Sequence, residues 1–95
     1  MSSNPEIIRT HLRIRGVVQG VGFRFSARNR AVALGLSGWV RNDADGSVET
    51  EIEGSSDRVR EFIAWARSGP PGALVDDVVT ESQAPRGDHT FRITT

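Results

Sequence analysis

Gly16–Val17–Val18–Gln19–Gly20–Val21–Gly22–Phe23–Arg24 places three glycines in seven residues and closes on an arginine. An alternating apolar–polar pattern precedes this run, and a helical pattern follows it. A strand–turn–helix junction of this kind can gather backbone N–H groups around an anion. Glycine adopts the crowded or left-handed geometry that such a turn needs at little steric cost. Arg24 falls in the first helical turn, and its planar five-donor fork suits two oxygens of a phosphate or carboxylate. The same run can also be a flexible strand-to-helix turn with a chance arginine. Two known phosphate loops are excluded. Walker A needs Lys–Ser/Thr after its glycines, and the chain has no lysine. The dinucleotide fingerprint needs glycine where Phe25 stands.

Upstream, residues 7–15 predict a strand. Ile8, Thr10, Leu12 and Ile14 share one face; Arg9, His11, Arg13 and Arg15 share the other. Downstream, Phe23, Ala27, Ala31 and Leu34 recur at helical spacing, and Gly35 is the expected stop. Arg24, Arg28 and Arg30 give that helix cations and no acid. A cation at a helix N-terminus opposes the dipole unless an anion is bound there. Residues 37–43 and 47–53 form two strands about an Asp43–Ala44–Asp45–Gly46 turn, and so predict a hairpin. Gly54–Ser55–Ser56–Asp57 offers cap residues for a second helix with a Val59, Phe62, Ile63 and Ala66 stripe, Trp65 folding over its edge. Gly69–Pro70–Pro71–Gly72 ends it. A strand over 74–80 and a short one marked by Phe91 and Ile93 complete the chain. The order β–α–β–β–α–β is the ferredoxin-like α/β (α+β) arrangement. It predicts an antiparallel sheet with both helices on one face and a short additional C-terminal strand.

Ninety-five residues suggest a single domain over 1–95, with residues 1–6 a flexible lead-in. Twelve arginines, the only Lys or Arg residues, balance twelve Asp plus Glu, so the basic excess usual for nucleic-acid binding is lacking. No cysteine is present, which excludes disulfides and thiolate metal sites. No apolar run approaches a membrane span or a signal-peptide core. A cytoplasmic monomer without nucleic-acid or membrane partners is the expectation.

Candidate chemistry is sparse outside the loop. There is no G-x-S-x-G elbow. His11 and His89 lie in no metal or deaminase motif and are expected at the surface. Asp43 and Asp45 could approach a cation, but a hairpin turn accounts for them, so no metal site is expected. Asn42 ends the first hairpin strand, where its carboxamide could stand beside the loop and hold a water. On position alone, a turn asparagine bonding its own backbone is the more economical reading.

The run Gly16-x-Val18–Gln19–Gly20–Val21–Gly22–Phe23–Arg24 resembles the acylphosphatase signature. A second block matches as well: Leu34–Gly35–Leu36-x-Gly38–Trp39–Val40–Arg41–Asn42, then Asp45–Gly46-x-Val48–Glu49, with Gly69–Pro70 after the second helix. The resemblance covers nearly the whole chain. It implies a ferredoxin-like sandwich that hydrolyses the carboxyl–phosphate bond of small acylphosphates without metal or organic cofactor. Arg24 matches the catalytic arginine that grips the phosphoryl group. Asn42 matches the catalytic asparagine that orients water. Gln19, Gly20, Val21, Gly22 and Phe23 match the backbone phosphate cradle, with inorganic phosphate as product and competing ligand. One position departs: Ser26 stands where the family usually carries a bulky aromatic, which would loosen packing at the start of the first helix.

Two other classes share parts of the pattern. An RNA-recognition module has this topology but displays aromatics on its central strands; here those positions carry arginines and glutamates. An anion-binding scaffold domain would keep the cradle and have no need of Asn42. Across the first and third strands, Arg9, His11, Arg13 and Arg15 should face Glu49, Glu51 and Glu53 on the side without helices. The expectation is a solvent-exposed Arg–Glu ladder that salt would weaken.

Overall fold

The computed structural model describes residues 6–95; the lead-in expected over 1–6 lies outside the described residues except for Glu6. Seven elements follow in order: β1 (Ile7–Val17), α1 (Phe23–Ala33), β2 (Ser37–Asn42), β3 (Val48–Ser55), α2 (Ser56–Ala66), β4 (Leu74–Gln83) and β5 (Phe91–Ile93). One sheet runs β4–β1–β3–β2–β5. This is the expected ferredoxin-like α/β sandwich. β1 pairs antiparallel with β3 as anticipated, in a register that sets Arg9 opposite Glu53, His11 opposite Glu51 and Arg13 opposite Glu49.

The alternation of β1 and β3 sends Leu12, Ile14, Val48 and Ile52 under the helices, where they are fully buried with Val40. α1 contributes Phe23, Ala27 and Ala31; α2 contributes Val59, Phe62 and Ala66. Each fully buried Val, Leu, Ile or Phe stabilises by roughly 1.5–3 kcal/mol relative to exposure. Phe23 packs on Trp65, centroids 5.4 Å apart, and so anchors the first turn of α1. Ser26, in the position usually aromatic, instead borders a groove shared with Trp65, Pro70 and Pro71.

Three details differ from the sequence expectation. The sheet is antiparallel except at one edge, where β5 runs parallel to β2. The cause is connectivity. β4 finishes at the end of the sheet where β2 begins, so residues 84–90 cross that end and must enter β5 in β2's direction. Second, no side chain caps α2. The Ser56 N–H donates to the Glu6 carbonyl instead, at 2.9 Å, and Asp57 adds an acid to the first turn. Third, most of the charged ladder is not exposed: Arg9, Glu49, Glu51 and Glu53 are buried and His11 and Arg13 half-buried, while Arg15 is exposed and lies opposite Asp77 of β4 and not a glutamate of β3.

The Arg9 side chain is 0 % accessible. Its Nε donates to Glu51 at 2.7 Å, and its Nη1 donates to Glu53 and Asp88, each at 3.0 Å. Glu53 also accepts the N–H groups of Arg86 at 2.7 Å and Gly87 at 2.8 Å. The crossing segment 84–90 therefore straps the end of the helix-free face and removes these groups from water. Farther along, Trp39 stands edge-on to His11, with centroids 6.2 Å apart, under the Arg41 guanidinium at 5.3 Å. Neither His11 nor Glu49 is ordinary surface: His11 Nε2 lies 2.6 Å from a Glu49 oxygen, and Glu49 is buried.

Burial pushes the Glu53 carboxyl up, but its bonds from Arg86 N–H, Arg9 and Gly87 N–H outweigh this and hold it below the ordinary value of 4.5. Glu49 is likewise pushed up by burial and brought below its ordinary value by His11 and Arg41.

Glu51→Arg sets a second guanidinium against a buried one, and a cost of about 3–5 kcal/mol is expected from breaking such a pair. Denaturant melts should show this cost unchanged between low and high salt, whereas Arg58→Ala, in an exposed pair, should change stability little. A loss for Glu51→Arg that shrinks with salt would contradict the burial. The second expectation concerns acid. Because the folded Glu53 carboxyl is depressed, its contribution is complete above its unfolded value and is lost as pH falls through its folded value. Stability should fall as pH drops below the ordinary carboxylate range, and Glu53→Gln should make that fall shallower. Equal slopes for both proteins in denaturant melts across this range would refute the assignment.

Candidate active site

β1 and β2 run in the same direction, so their C-terminal ends lie at one end of the sheet, opposite the strap. At that end β1 passes into residues 18–22 through a bulge between Arg15 and Gly16. A Cβ on Gly16 would lie 2.0 Å from the Leu74 carbonyl oxygen, so only glycine lets β4 approach there. Val18 and Phe23, both buried, pin the loop at its two ends. Gly20 and Gly22 between them are exposed and left-handed, at φ 77° and 75°. Such alternation lets successive N–H groups converge on an anion. Among the described residues, no protein group accepts from the N–H of Gln19, Gly20, Val21, Gly22 or Phe23. Gly22 is the N-cap of α1, its carbonyl accepting from the Ser26 N–H at 3.0 Å.

Arg24 follows directly, half-buried in the first turn of α1, which carries no acid. Among the described residues no carboxylate lies within salt-bridge reach of its guanidinium, although most arginines of the sheet are paired. The helix N-terminus and this cation together give the loop an uncompensated positive potential.

Asn42 is the last residue of β2, half-buried, opposite Val48. Its carboxamide has no hydrogen-bond partner among the described residues, so it does not serve as a self-bonding turn residue. The turn is closed by others. Asp43 N–H donates to the Ser47 carbonyl at 2.9 Å, and Gly46 N–H donates to the Asp43 carbonyl at 3.1 Å. Arg13 Nη1 donates to the Asp43 carboxylate at 2.6 Å and to the Ser47 hydroxyl at 3.1 Å. Arg41 Nε stands 3.2 Å from the other Asp43 oxygen. Ser47 in turn donates from both N–H and hydroxyl to Asp45, whose carboxyl is thereby held below its ordinary value. These aspartates are engaged in hairpin closure.

The loop and the hairpin meet through Gln19. Its side-chain Nε2 donates to the Asp43 carbonyl at 2.7 Å and to the Ser47 carbonyl at 2.9 Å. The sequence assigned Gln19 to the cradle by its backbone alone and missed this side-chain contact. A signal was present: Gln19 is the one polar side chain between Gly16 and Arg24. His89 is exposed, as expected. A cavity of about 580 Å³ lies at the strap end, lined by Ser37, Glu53 and Asp88 among others, and takes in none of these loop residues.

The resulting arrangement is an open, electropositive N–H loop with a free guanidinium, tied to a strand that ends in a free carboxamide. It can bind a phosphoryl group and hold a neutral polar molecule near it. Among the described residues no helix is long and apolar enough to cross a membrane.

The acylphosphatase family model matches residues 10–93. An acylphosphatase of Trichormus variabilis is 48 % identical over 94 residues, covering 97 % of this chain and 93 % of the relative. The structure of an acylphosphatase from Coxiella burnetii superposes with a TM-score of 0.90 at 36 % identity, over 93 % of each chain. Full-length HypF in a phosphate- and nucleotide-bound form has a TM-score of 0.90 at 29 % identity, over all of this chain and 13 % of that one. Matched in fold and sequence over nearly its whole length, the chain belongs to the acylphosphatase family.

Proposed function

We propose that this chain is a single-domain, monomeric, cytoplasmic acylphosphatase that hydrolyses the carboxyl–phosphate bond of small acylphosphates. Arg24 and the N–H groups of Gln19, Gly20, Val21, Gly22 and Phe23 hold the phosphoryl oxygens. Asn42 orients the attacking water. Inorganic phosphate is the product and a competing ligand. The observation that carries this reading is the free guanidinium of Arg24 at the end of a loop whose N–H groups are also free, beside the strand ending at Asn42.

The chemistry suits so small a set of groups. A carboxylate is a good leaving group, so protonation by a strong acid is unnecessary. The remaining barrier is lowered by positioning and by stabilising charge on the equatorial phosphoryl oxygens. The Asn42 amide accepts from the water and donates without changing charge. The neighbouring carboxylates Asp43 and Glu49 are bound to arginines, so the water's proton passes to a phosphoryl oxygen of the substrate. No cofactor enters this scheme.

The direct test is hydrolysis of a synthetic acylphosphate by purified protein, beside a simple phosphate ester and with a chelator present. Turnover of the acylphosphate alone is the expected result. Phosphate binding without turnover of either compound would favour an anion-binding module.

Arg24→Ala should abolish measurable phosphate affinity and lower turnover by about a hundredfold to a thousandfold, the range for removing a transition-state donor. The circular-dichroism spectrum should be unchanged, and Lys should rescue poorly because it is a point charge and not a fork. Equal phosphate affinity in wild type and mutant, by titration, would remove Arg24 from the site.

Asn42→Ala should separate binding from chemistry. The rate at saturating substrate is expected to fall by about a hundredfold or more, while the phosphate inhibition constant stays within a small factor. Normal turnover with weakened binding would make Asn42 a substrate ligand and not a water holder.

A further inference from the structure

We infer that Gln19 is a positioning residue for hydrolysis: its side chain fixes the separation between the phosphate loop and Asn42. The inference rests on the acylphosphatase reading above and extends it to a side chain whose amide donates to the hairpin.

A primary amide has two N–H donors. Both donors of Gln19 are spent, on two carbonyls 24 and 28 residues away. Those carbonyls, of Asp43 and Ser47, form the neck of the β2–β3 hairpin, and Asn42 is bonded directly to Asp43. The loop side is equally direct, because Gln19 is itself a cradle residue. One planar group thus spans the two halves of the proposed site.

The two halves do not depend on this bridge for their own shape. The Asp43 carbonyl keeps its bond from Gly46 N–H, and the Ser47 carbonyl keeps its bond from Asp43 N–H. Arg13 and Arg41 continue to hold the Asp43 carboxylate. The loop keeps its buried anchors, Val18 and Phe23. Removing the bridge therefore leaves a formed cradle and a formed hairpin, free to shift relative to each other. Phosphate touches only the cradle. In-line attack needs both halves, and a misplacement of about 1 Å between reacting groups can cost about a hundredfold in rate.

The experiment is a double-mutant cycle with Gln19→Met, which keeps side-chain length and removes both donors, in the wild-type and Asn42→Ala backgrounds. Turnover of a synthetic acylphosphate, inhibition by inorganic phosphate and thermal melting are measured for all four proteins. In the wild-type background, turnover should fall about tenfold to a hundredfold, with the phosphate inhibition constant within about threefold. In the Asn42→Ala background, the same substitution should lower turnover by less than about threefold, because the group it positions is already gone. Gln19→Leu gives a second, uncharged variant should Gln19→Met fold poorly; it also has no donor for the two carbonyls and should show the same split. A full, repeated loss in the Asn42→Ala background would overturn the positioning role, as would a loss confined to phosphate binding. Both results leave the hydrolase reading standing. No turnover by the unaltered protein would instead overturn the hydrolase reading and this inference with it.

Discussion

The antiparallel pairing of β1 with β3 is the constraint on which the other features depend. Strand periodicity is two, so one register assigns every side chain of both strands to a face. The register found here sends Leu12, Ile14, Val48 and Ile52 under the helices. It sends Arg9, His11 and Arg13 against Glu49, Glu51 and Glu53. A slip of one residue would drive guanidinium groups into the apolar core. The charged face therefore disfavours such a slip together with the apolar one.

That face is a second interior. Glu49, Glu51 and Glu53 are between 5 and 8 % exposed. Charges taken out of water are tolerated only when their partners are close and their remaining donors and acceptors are filled. Glu53 meets this condition with two backbone N–H groups from the strap and one guanidinium. Arg9 nearly does: among the described residues only its Nη2 has no partner. Such a network contributes less to net stability than apolar packing of equal volume would. It does fix where the strap lies and how the sheet ends.

At the other end of the sheet the same strands carry arginines to different work. Arg13, on β1, and Arg41, on β2, both reach Asp43 and so stiffen the hairpin. Arg24 alone among the residues of the loop and its first helical turn brings a cation, and it meets no acid. Among the described residues, Arg9, Arg13 and Arg41 are neutralised where they brace the sheet and the hairpin, whereas Arg24 beside the loop has no carboxylate partner.

Local rules determined much of this from the sequence alone. Alternation of period two and recurrence near 3.6 gave the elements and their order, because both follow from backbone geometry. Gly16, Gly20 and Gly22 marked a loop that only glycine can thread, and Arg24 and Asn42 were legible as matches to a family pattern. The tertiary structure decided the rest. Strand alternation reveals two faces but not what covers them, and residues 84–90 reach Arg9 only because β4 and β5 lie on opposite edges of one sheet. The parallel entry of β5 follows from the same crossing. Gln19 looked like one more backbone donor, since its side-chain partners lie 24 and 28 residues away. Contacts at that separation exist only after the strands have paired, and no local pattern in the chain encodes them.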